Sequence, residues 1–329
     1  MQYSIENDIL RLTVDSHGAE PVSVIHKPTG AELLWQADPA VWKRHAPILF
    51  PYTGKLTGGK MLAKGVEYAG GQHGFARDVE HTMTHHADNL LEFELHANAE
   101  TLPKWPYAFV LRSTFTLERE TVHHTLTVEN PVEDKLCFGI GYHPAFALPF
   151  DDRHVTEDYE IRFDGVESPL CVSAQPNGLL NGQSYSLARN VEAIQLTDDL
   201  FDNDSHAMVN LRSAHVSVIE KDTGRSVICD VSDFPYTLIW SAPKKPLHFI
   251  CIEPWHSLPG EENGPIDWEQ RPCAAILKKG ESWSTTLSAT WTLVWESPTS
   301  AARLCKPKRN STSLALSRCS VSSALRARK

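Results

Sequence analysis

A carboxylate ends one of the most apolar segments of the chain. In residues 247–255, period-two alternation places Glu253 on the same face of a predicted strand as Phe249 and Cys251. A carboxylate buried at a strand end must accept hydrogen bonds or take up a proton, and burial raises its pKa towards the range of a general base. The alternative is a structural Glu that caps the neighbouring backbone or pairs with an Arg, and the pattern alone leaves both interpretations open.

Two histidines lie in glycine-rich segments that are typical of strand ends and binding loops. Residues 139–144 hold two glycines and a proline around His143, and glycine permits the close approach of a ligand while proline ends ladder pairing. Residues 70–78 form a glycine-rich loop that carries His73 and Arg77, a combination common in binding loops on a β scaffold. Taken alone, His143 is more typical of a partly buried histidine with a backbone partner, and the signal at His73 is weak.

Other kinds of catalytic site find less support in the sequence. His81, His85, His86, His123 and His124 are candidate metal ligands, but the spacing HxxxHH lies outside any helical frame and no His-Glu-x-x-His segment occurs, so we predict no metal site. The absence of a Gly-x-Ser-x-Gly elbow disfavours a serine hydrolase, and the glycine-rich loop lacks a phosphate-binding pattern. Surface imidazoles on an acidic protein are the preferred interpretation of the remaining histidines.

A late cluster of aromatic residues is a further candidate feature. Tyr236, Trp240, Trp255 and Trp268 have side chains that stack on the apolar faces of sugar rings and that also fill sandwich cores. We expect most of them to lie in the core. Trp240 and Trp255 are nearest to the predicted chemistry and are the better candidates for a ligand cleft.

The elements that position these residues are predicted to be short antiparallel strands. Alternation recurs along the chain, as in residues 109–118, and residues 216–229 have the pattern of a hairpin around Asp222-Thr223-Gly224. Residues 186–195 are the best helix candidate, followed by a turn at residues 39–42. Many strands with few helices predict an all-β protein built as one large antiparallel β-sandwich.

Charge divides the chain into an acidic body and a basic tail. The chain has 329 residues, and residues 297–329 hold eight Lys or Arg and no Asp or Glu. The acidic body disfavours nucleic acid as a partner, and no apolar run is long enough for a membrane span. We predict a single domain over residues 1–296 and, over residues 297–329, a Ser-rich tail that is disordered or is an appended segment from cloning or a shifted reading frame, with a nucleic-acid or membrane arm as the alternative.

The cysteines favour a reducing compartment. Seven cysteines occur at irregular spacings, and Cys137, Cys229 and Cys251 lie inside apolar runs. We interpret them as small core residues rather than as a disulfide framework or a zinc site. With a polar N-terminus that lacks the pattern of a signal peptide, this predicts a cytoplasmic protein.

The chemical segments, together with further motifs in the same order, resemble the aldose 1-epimerase (galactose mutarotase) family. The resemblance is closest to its bacterial branch of lactose-operon mutarotase-like proteins and covers about residues 3–294. The matching motifs are Leu49-Phe50-Pro51, Gly54-Lys55-Leu56, Gln72-His73-Gly74-Phe75-Ala76-Arg77, Gly141-Tyr142-His143-Pro144-Ala145-Phe146, Asp202-Asn203-Asp204, Phe234-Pro235-Tyr236 with Trp240, and Cys251-Ile252-Glu253-Pro254-Trp255. The resemblance implies a galactose mutarotase-like β-supersandwich.

The resemblance also implies a cofactor-free isomerase that interconverts the α and β anomers of a free aldose such as glucose or galactose. In this reaction a base takes the proton of the C1 hydroxyl while an acid protonates the ring oxygen, so that the ring opens and recloses. By motif, Glu253 is implied as the base and His143 as the acid, with His73 supporting the acid and holding sugar oxygens. The implied substrate-binding residues are Lys55, Arg77, Asp204 (with Asp202 as a neighbouring alternative), Trp240 and Trp255.

One position departs from the family pattern. Lys55 stands where the family usually has Arg, which keeps the charge and loses the planar fork of donors. Lys55 and the tail motivate one alternative, a carbohydrate-binding or sensing protein without turnover. Family relatives with the same His-Gly-Phe-Ala-Arg segment act on phosphosugars, so the resemblance also implies a second alternative, a hexose-6-phosphate mutarotase with Lys55, Arg77 and Arg44 as the basic pocket. The expected partner is a small sugar, in a monomer or a homodimer.

Overall fold

Short antiparallel strands account for the regular structure of the chain, as the alternation of apolar residues predicts. The structure is a computed structural model and describes residues 1–174 and 177–293. In chain order the strands are β1 (Gln2–Glu6), β2 (Leu10–Asp15), β3 (Glu20–His26), β4 (Ala31–Glu32), β5 (Ile48–Leu49), β6 (Lys60–Ala63), β7 (Val66–Ala69), β8 (Thr82–Ala87), β9 (Leu90–His96), β10 (Val110–Glu118), β11 (Thr121–Glu129), β12 (Leu136–Phe138), β13 (Gly141–Tyr142), β14 (Ala145–Ala147), β15 (Tyr159–Glu167), β16 (Leu170–Val172), β17 (Ser184–Ser186), β18 (Val191–Gln195), β19 (His206–Met208), β20 (His215–Glu220), β21 (Ser226–Asp230), β22 (Tyr236–Trp240), β23 (Phe249–Trp255), β24 (Ala275–Leu277) and β25 (Ser282–Thr292). The helical elements of the described residues are short 3-10 turns at Thr57–Gly59, Ala76–Asp78, Thr156–Asp158 and Trp268–Gln270.

Two large sheets carry the architecture. One has nine strands in the order β18-β15-β20-β21-β25-β11-β10-β9-β8, and the other has the order β17-β16-β19-β22-β23-β13-β5, with β14 also paired to β23. A four-stranded sheet, β1-β2-β3-β4, and the pairs β12-β24 and β6-β7 complete the set. Phe115 and Leu126 of the nine-stranded sheet share one hydrophobic core with Ile250 and Ile252 of the other. This arrangement confirms the predicted all-β sandwich.

Strand β23 is the element that presents the predicted carboxylate. All of its residues are buried, and it lies between β22 and β13, with β14 also paired to it. Ile250 and Ile252 point into the main core, whereas Phe249 and Cys251 belong to a separate cluster on the opposite face. Because side chains alternate along a strand, Glu253 shares the face of Phe249 and Cys251, as the sequence pattern predicts.

Local structure confirms two of the smaller predictions and corrects a third. β20 and β21 form the predicted hairpin, and the amides of Val41 and Trp42 donate to the carbonyl of Asp38 in the predicted turn. The helix predicted over residues 186–195 is wrong. Val191–Gln195 is instead an edge strand whose register pairs Gln195 with Glu160 of β15, so sheet pairing overrides a modest local helix preference.

The cysteines correct another expectation. Cys171, Cys229 and Cys251 are buried and free, as predicted, but Cys137 is bonded to Cys273 in a disulfide. The partner approaches because β24 pairs with β12 and brings the preceding loop alongside it. A sequence separation of 136 residues gives no pattern from which this pairing can be predicted. The cytoplasmic location stays a prediction.

The described residues from Met1 to Leu293 form one compact unit. The predicted tail over residues 297–329 and the predicted boundary at residue 296 lie outside the described residues. In the part of the chain that the structure describes, no helix is long and apolar enough to cross a membrane.

Candidate active site

A cleft of about 260 Å³ opens over the outer face of β22 and β23. This volume is just below the roughly 300–1,000 Å³ of pockets for drug-sized ligands, so it suits one small polar molecule. Among the residues predicted from the sequence, the cleft lining includes His73, Arg77, His143, Asp204, Trp240, Glu253 and Trp255. The fold therefore brings together residues that lie up to 182 positions apart in the chain.

The centre of the cleft is a carboxylate beside an imidazole. The Nε2 atom of His143 lies 3.3 Å from Oε2 of Glu253, and the two residues are 7% and 2% exposed. His143 follows β13 directly, and β13 pairs with β23 through Gly141 and Trp255. A Cβ at Gly141 would lie 2.6 Å from the Trp255 ring, so only glycine lets the two strands approach this closely.

Burial shifts the pKa values of Glu253 and His143 in opposite directions. Desolvation, with the nearby charge of Asp204, raises the pKa of Glu253 well above its ordinary value. Desolvation, with the charge of Arg77, lowers the pKa of His143 to about 3. Both shifts favour the uncharged pair, in which Glu253 keeps its proton and His143 is neutral. In this state the titratable proton of the pair lies on Glu253, whose Oε2 is 3.3 Å from Nε2 of His143.

His73 is held as a hydrogen-bond donor rather than as a base. Its Nδ1 atom accepts from the backbone N–H of Gly54 at 3.0 Å. Burial, with repulsion from His143 when that residue is protonated and from Arg77, lowers the pKa of His73 well below its ordinary value, so the ring is neutral and its proton lies on Nε2. The backbone of His73 has a positive φ of 67°, and a Cβ at Gly74 would overlap the carbonyl oxygen of Phe50. This tight loop aims Nε2–H at the cleft.

Aromatic rings enclose the imidazole of His143. Trp42 stacks on it with ring centroids 5.0 Å apart and an interplanar angle of 23°, and Trp240 meets it edge-on at 5.5 Å. Trp255 meets His73 edge-on at 5.5 Å and donates from Nε1 to the carbonyl of Tyr142. Trp42 is not predicted from the sequence as a site residue, because the pattern around it indicates a turn and contains no motif that indicates a function.

The positive groups near the cleft are mostly neutralised. Arg77 lines the cleft and donates to the carbonyl of Gln72, while its buried Nε has no hydrogen-bond partner among the described residues. Arg44 is paired with Glu20 and Asp78. Arg77 is therefore the described cation that faces the cleft without a carboxylate partner of its own at hydrogen-bond distance.

Lys55 is the predicted substrate-binding residue that the cleft lining does not include. Its ammonium donates at 2.7 Å to the carbonyl of Asn177, and its side chain packs beside Gly178, which does line the cleft. Gly178 therefore lines the cleft at this place, and the ammonium of Lys55 does not. Asp204 lies on the lining as predicted, held in a backbone conformation with φ of 79°.

Cys251 completes a set of three possible metal-ligating groups. Its sulfur lies within 4.8 Å of the ligand atoms of His143 and Glu253. Burial, with the charge of Glu253, raises the pKa of the thiol well above its ordinary value, and metals bind the thiolate. In the absence of a cation, the thiol therefore keeps its proton.

Comparison with known proteins identifies relatives along most of the chain. The family model described as Aldose 1-epimerase matches residues 1–290. The plasmid-encoded Protein LacX of Lactococcus lactis subsp. lactis is 33% identical over 266 residues, which cover 78% of this chain and 88% of that protein.

Solved structures with similar sequences share the fold. A galactose mutarotase related enzyme from Lactobacillus acidophilus superposes with a TM-score of 0.85 at 31% identity, over 89% of this chain and 98% of that one. A galactose mutarotase-like protein from Lactobacillus casei ATCC 334 superposes with a TM-score of 0.81 at 30% identity, over 89% of this chain and 100% of that one. These likenesses confirm the predicted galactose mutarotase-like sandwich.

Proposed function

The chain belongs to the aldose 1-epimerase family and is an isomerase of the mutarotase type, and we propose that it acts on a free aldose such as glucose or galactose through Glu253 and His143. The observation that carries the proposal is the 3.3 Å contact between these two buried groups on the wall of a cleft of monosaccharide size. Two groups whose pKa values are driven in opposite directions by their surroundings are what acid–base ring opening requires.

The single proton of the pair is sufficient for both halves of the reaction. When the proton lies on His143, the carboxylate of Glu253 takes the proton of the C1 hydroxyl while Nε2 donates to the ring oxygen. The bond between C1 and the ring oxygen breaks, and the aldehyde forms with Glu253 protonated and His143 neutral. After rotation about C1–C2, both transfers run in reverse and close the ring on the other face. Burial favours the neutral pair, so it stabilises the protonation state in which the open chain is held.

The remaining lining residues hold the sugar in this mechanism. The Nε2–H of His73 donates to a sugar oxygen, since Gly54 occupies its other nitrogen. Asp204 accepts from sugar hydroxyls, and Trp240 and Trp255 offer apolar ring faces. Positioning of this kind reduces the entropy that the reacting groups would otherwise lose in the transition state.

The charge of the cleft favours a neutral sugar over a phosphorylated one. The lining holds two carboxylates, Glu253 and Asp204, and one cation, Arg77. Arg44 is paired with carboxylates, and Lys55 is turned to a backbone carbonyl. A phosphate bound here would lack the cluster of cations that normally recognises it.

An anomer-exchange assay tests this proposal. Freshly dissolved α-glucose and α-galactose are followed by polarimetry with and without enzyme, beside glucose 6-phosphate. We expect acceleration with a free sugar and a smaller effect with the phosphosugar. A preference for glucose 6-phosphate would establish the phosphosugar alternative. Sugar binding by calorimetry without faster exchange would establish a binding or sensing protein instead.

A further inference from the structure

A second, smaller cavity lies behind His143. It has a volume of about 40 Å³ and is lined mainly by apolar side chains from the N-terminal sheet and from β11, β14 and β25. His143 and His124 also line it. The cavity is too small for a substrate, but it exceeds the roughly 10–15 Å³ that one buried water needs.

Two buried nitrogens without partners belong to these two histidines. Nδ1 of His143 and Nε2 of His124 have no hydrogen-bond partner among the described residues. Buried polar atoms are almost always satisfied by protein or by ordered water, and both of these atoms belong to residues that line one cavity. Tyr142 also lines the cavity, but it is not the hydrogen-bond partner of either nitrogen. Its hydroxyl already donates to backbone carbonyls of the neighbouring strands and accepts from Leu126.

The proposed proton transfers at Nε2 of His143 determine which hydrogen-bond partner its other ring nitrogen, Nδ1, requires. When Glu253 carries the shared proton, Nε2 of His143 is the acceptor and the ring hydrogen lies on Nδ1. When His143 carries it, both nitrogens are protonated. Nδ1 therefore keeps its hydrogen in both states and needs an acceptor behind the ring. The backbone carbonyl of His143 itself favours the protonated ring but does not reach hydrogen-bond geometry.

His124 is suited to hold that acceptor. The prediction of a surface imidazole is wrong for this residue, because it lies on the inner face of β11 and is 6% exposed. It stacks on Phe115 with ring centroids 4.0 Å apart, so its ring is fixed. Burial lowers the pKa of His124 to about 3, so the ring is neutral near pH 7 and has one nitrogen free to accept. A water that accepts from Nδ1–H of His143 and donates to Nε2 of His124 would satisfy both nitrogens.

We propose that His124 is a positioning residue for the acid–base reaction, and that it acts through one ordered water in this cavity on Nδ1 of His143. The inference rests on the proposed function for its consequence in catalysis. The arrangement resembles the outer partner that orients a catalytic or metal-bound imidazole in other enzymes, with a water in place of a carboxylate. It keeps Nε2 free to exchange the proton with Glu253.

The test combines an imidazole readout with kinetics. Long-range ¹H–¹⁵N spectra of the wild type should show neutral His143 with its hydrogen on Nδ1. His124→Phe keeps the ring stack and removes the acceptor, so the hydrogen should redistribute towards Nε2 and kcat should fall roughly tenfold with KM little changed. His124→Gln supplies an acceptor again and should restore part of both. Ser113→Ala is the matched control, since Ser113 Oγ is another buried unpartnered atom that does not line the cavity.

Each outcome decides a separate claim. A crystal structure of the wild type at high resolution should show a water within hydrogen-bond distance of both nitrogens, and a cavity without one overturns the inference even if His124→Phe fails to fold. An unchanged tautomer and kcat in a folded His124→Phe variant overturns it as well. If the wild type has the predicted tautomer and water but does not accelerate anomer exchange, the proposed function fails and the positioning contact stands.

Discussion

Glu220 and Glu253 are two of the described residues whose buried carboxylates lie beside a histidine, and they differ in the number of hydrogen bonds that they accept. Glu220 is fully buried, and its carboxylate accepts from Tyr159 at 2.5 Å, from Thr223, and from two nitrogens of Arg225. Glu253 is buried almost as completely, and its one ion-pair contact among the described residues is His143 at 3.3 Å. The first carboxylate is saturated by its own protein, and the second has acceptor capacity left for a ligand.

The two histidines follow the same division. His154 is bonded to Asp151 at 2.6 Å, and this hydrogen bond raises the pKa of His154. Burial instead lowers the pKa of His143 to about 3. A satisfied network of charges holds its groups ionised and stabilises the fold, whereas an unsatisfied pair at a cleft is free to exchange protons with a substrate. Both groups have the appearance of a metal site by residue type alone, so partners rather than composition separate structure from chemistry.

The largest effect that separates the two regions is expected in turnover. His143→Ala removes the proposed acid and should lower kcat by roughly 10²–10⁴-fold with a smaller change in sugar binding. His154→Ala, in the satisfied network, should leave kcat near the wild-type value. Polarimetric progress curves give kcat, and calorimetric titration gives the sugar affinity. Parallel loss of kcat and affinity in His143→Ala would make the residue structural.

Stability should show the converse. Glu220→Gln leaves Arg225 without its bidentate carboxylate, and removal of one partner from a buried ion pair should lower the free energy of unfolding by about 3 kcal/mol. Glu253→Gln removes a carboxylate that lacks such partners and should leave stability unchanged or raised. Urea unfolding at matched protein concentration measures both. A larger loss in Glu253→Gln than in Glu220→Gln would refute the division.

The stacking of Trp42 on His143 should matter to a smaller degree. Trp42→Leu removes the aromatic face that fixes the ring and should lower kcat roughly tenfold, because a modest displacement of a reacting group is enough for such a loss. Trp42→Phe keeps an aromatic face and should recover most of the rate. Equal kcat in the two variants would show that stacking does not position the acid.

The smallest effect is a difference of sign in pH dependence. The unfolded state binds a proton at His143 below the ordinary histidine pKa of about 6.5 and the folded state does not, so this residue lowers stability as the pH falls, by roughly 1 kcal/mol at a pH of about 5.5. The raised pKa of His154 has the opposite effect. Its contribution to stability is complete below the ordinary histidine pKa of about 6.5 and is lost as the pH rises through the pKa of His154 in the folded state. His143→Gln should therefore gain stability relative to the wild type on acidification, and His154→Gln should lose it. Unfolding at pH values of about 5.5 and 8.5 checks both, and shifts of the same sign would contradict the account.

Sequence alone predicts the sandwich and the placement of Glu253. Strand alternation is a local property, and the parity argument for residues 247–255 needs only the side-chain period of a strand. It also predicts the hairpin of β20 and β21, because the turn residues mark it directly. The helix expected over residues 186–195 fails, since an edge strand is decided by the strand next to it.

Contacts between distant segments are what local patterns do not supply. The sequence around His73 and His143 gives only weak evidence of function. The two residues come together in the structure because β13 pairs with β23 and because Phe50 forms a bridge with Gly74. Trp42 joins the site from a turn, and Cys273 reaches Cys137 through a strand pair far along the chain. Lys55 is predicted from the sequence to contact the ligand, but its ammonium donates instead to the backbone carbonyl of Asn177.

Catalysis is assigned to Glu253, the carboxylate that accepts fewer hydrogen bonds from its own protein. The most direct measurement is the anomer-exchange rate of glucose or galactose by NMR exchange spectroscopy, on the wild type, Glu253→Gln and Glu220→Gln, each at a temperature where it is folded. We expect accelerated exchange in the wild type and in Glu220→Gln, and a rate equal to buffer in Glu253→Gln. Full activity in Glu253→Gln, or loss of activity confined to Glu220→Gln, would contradict it.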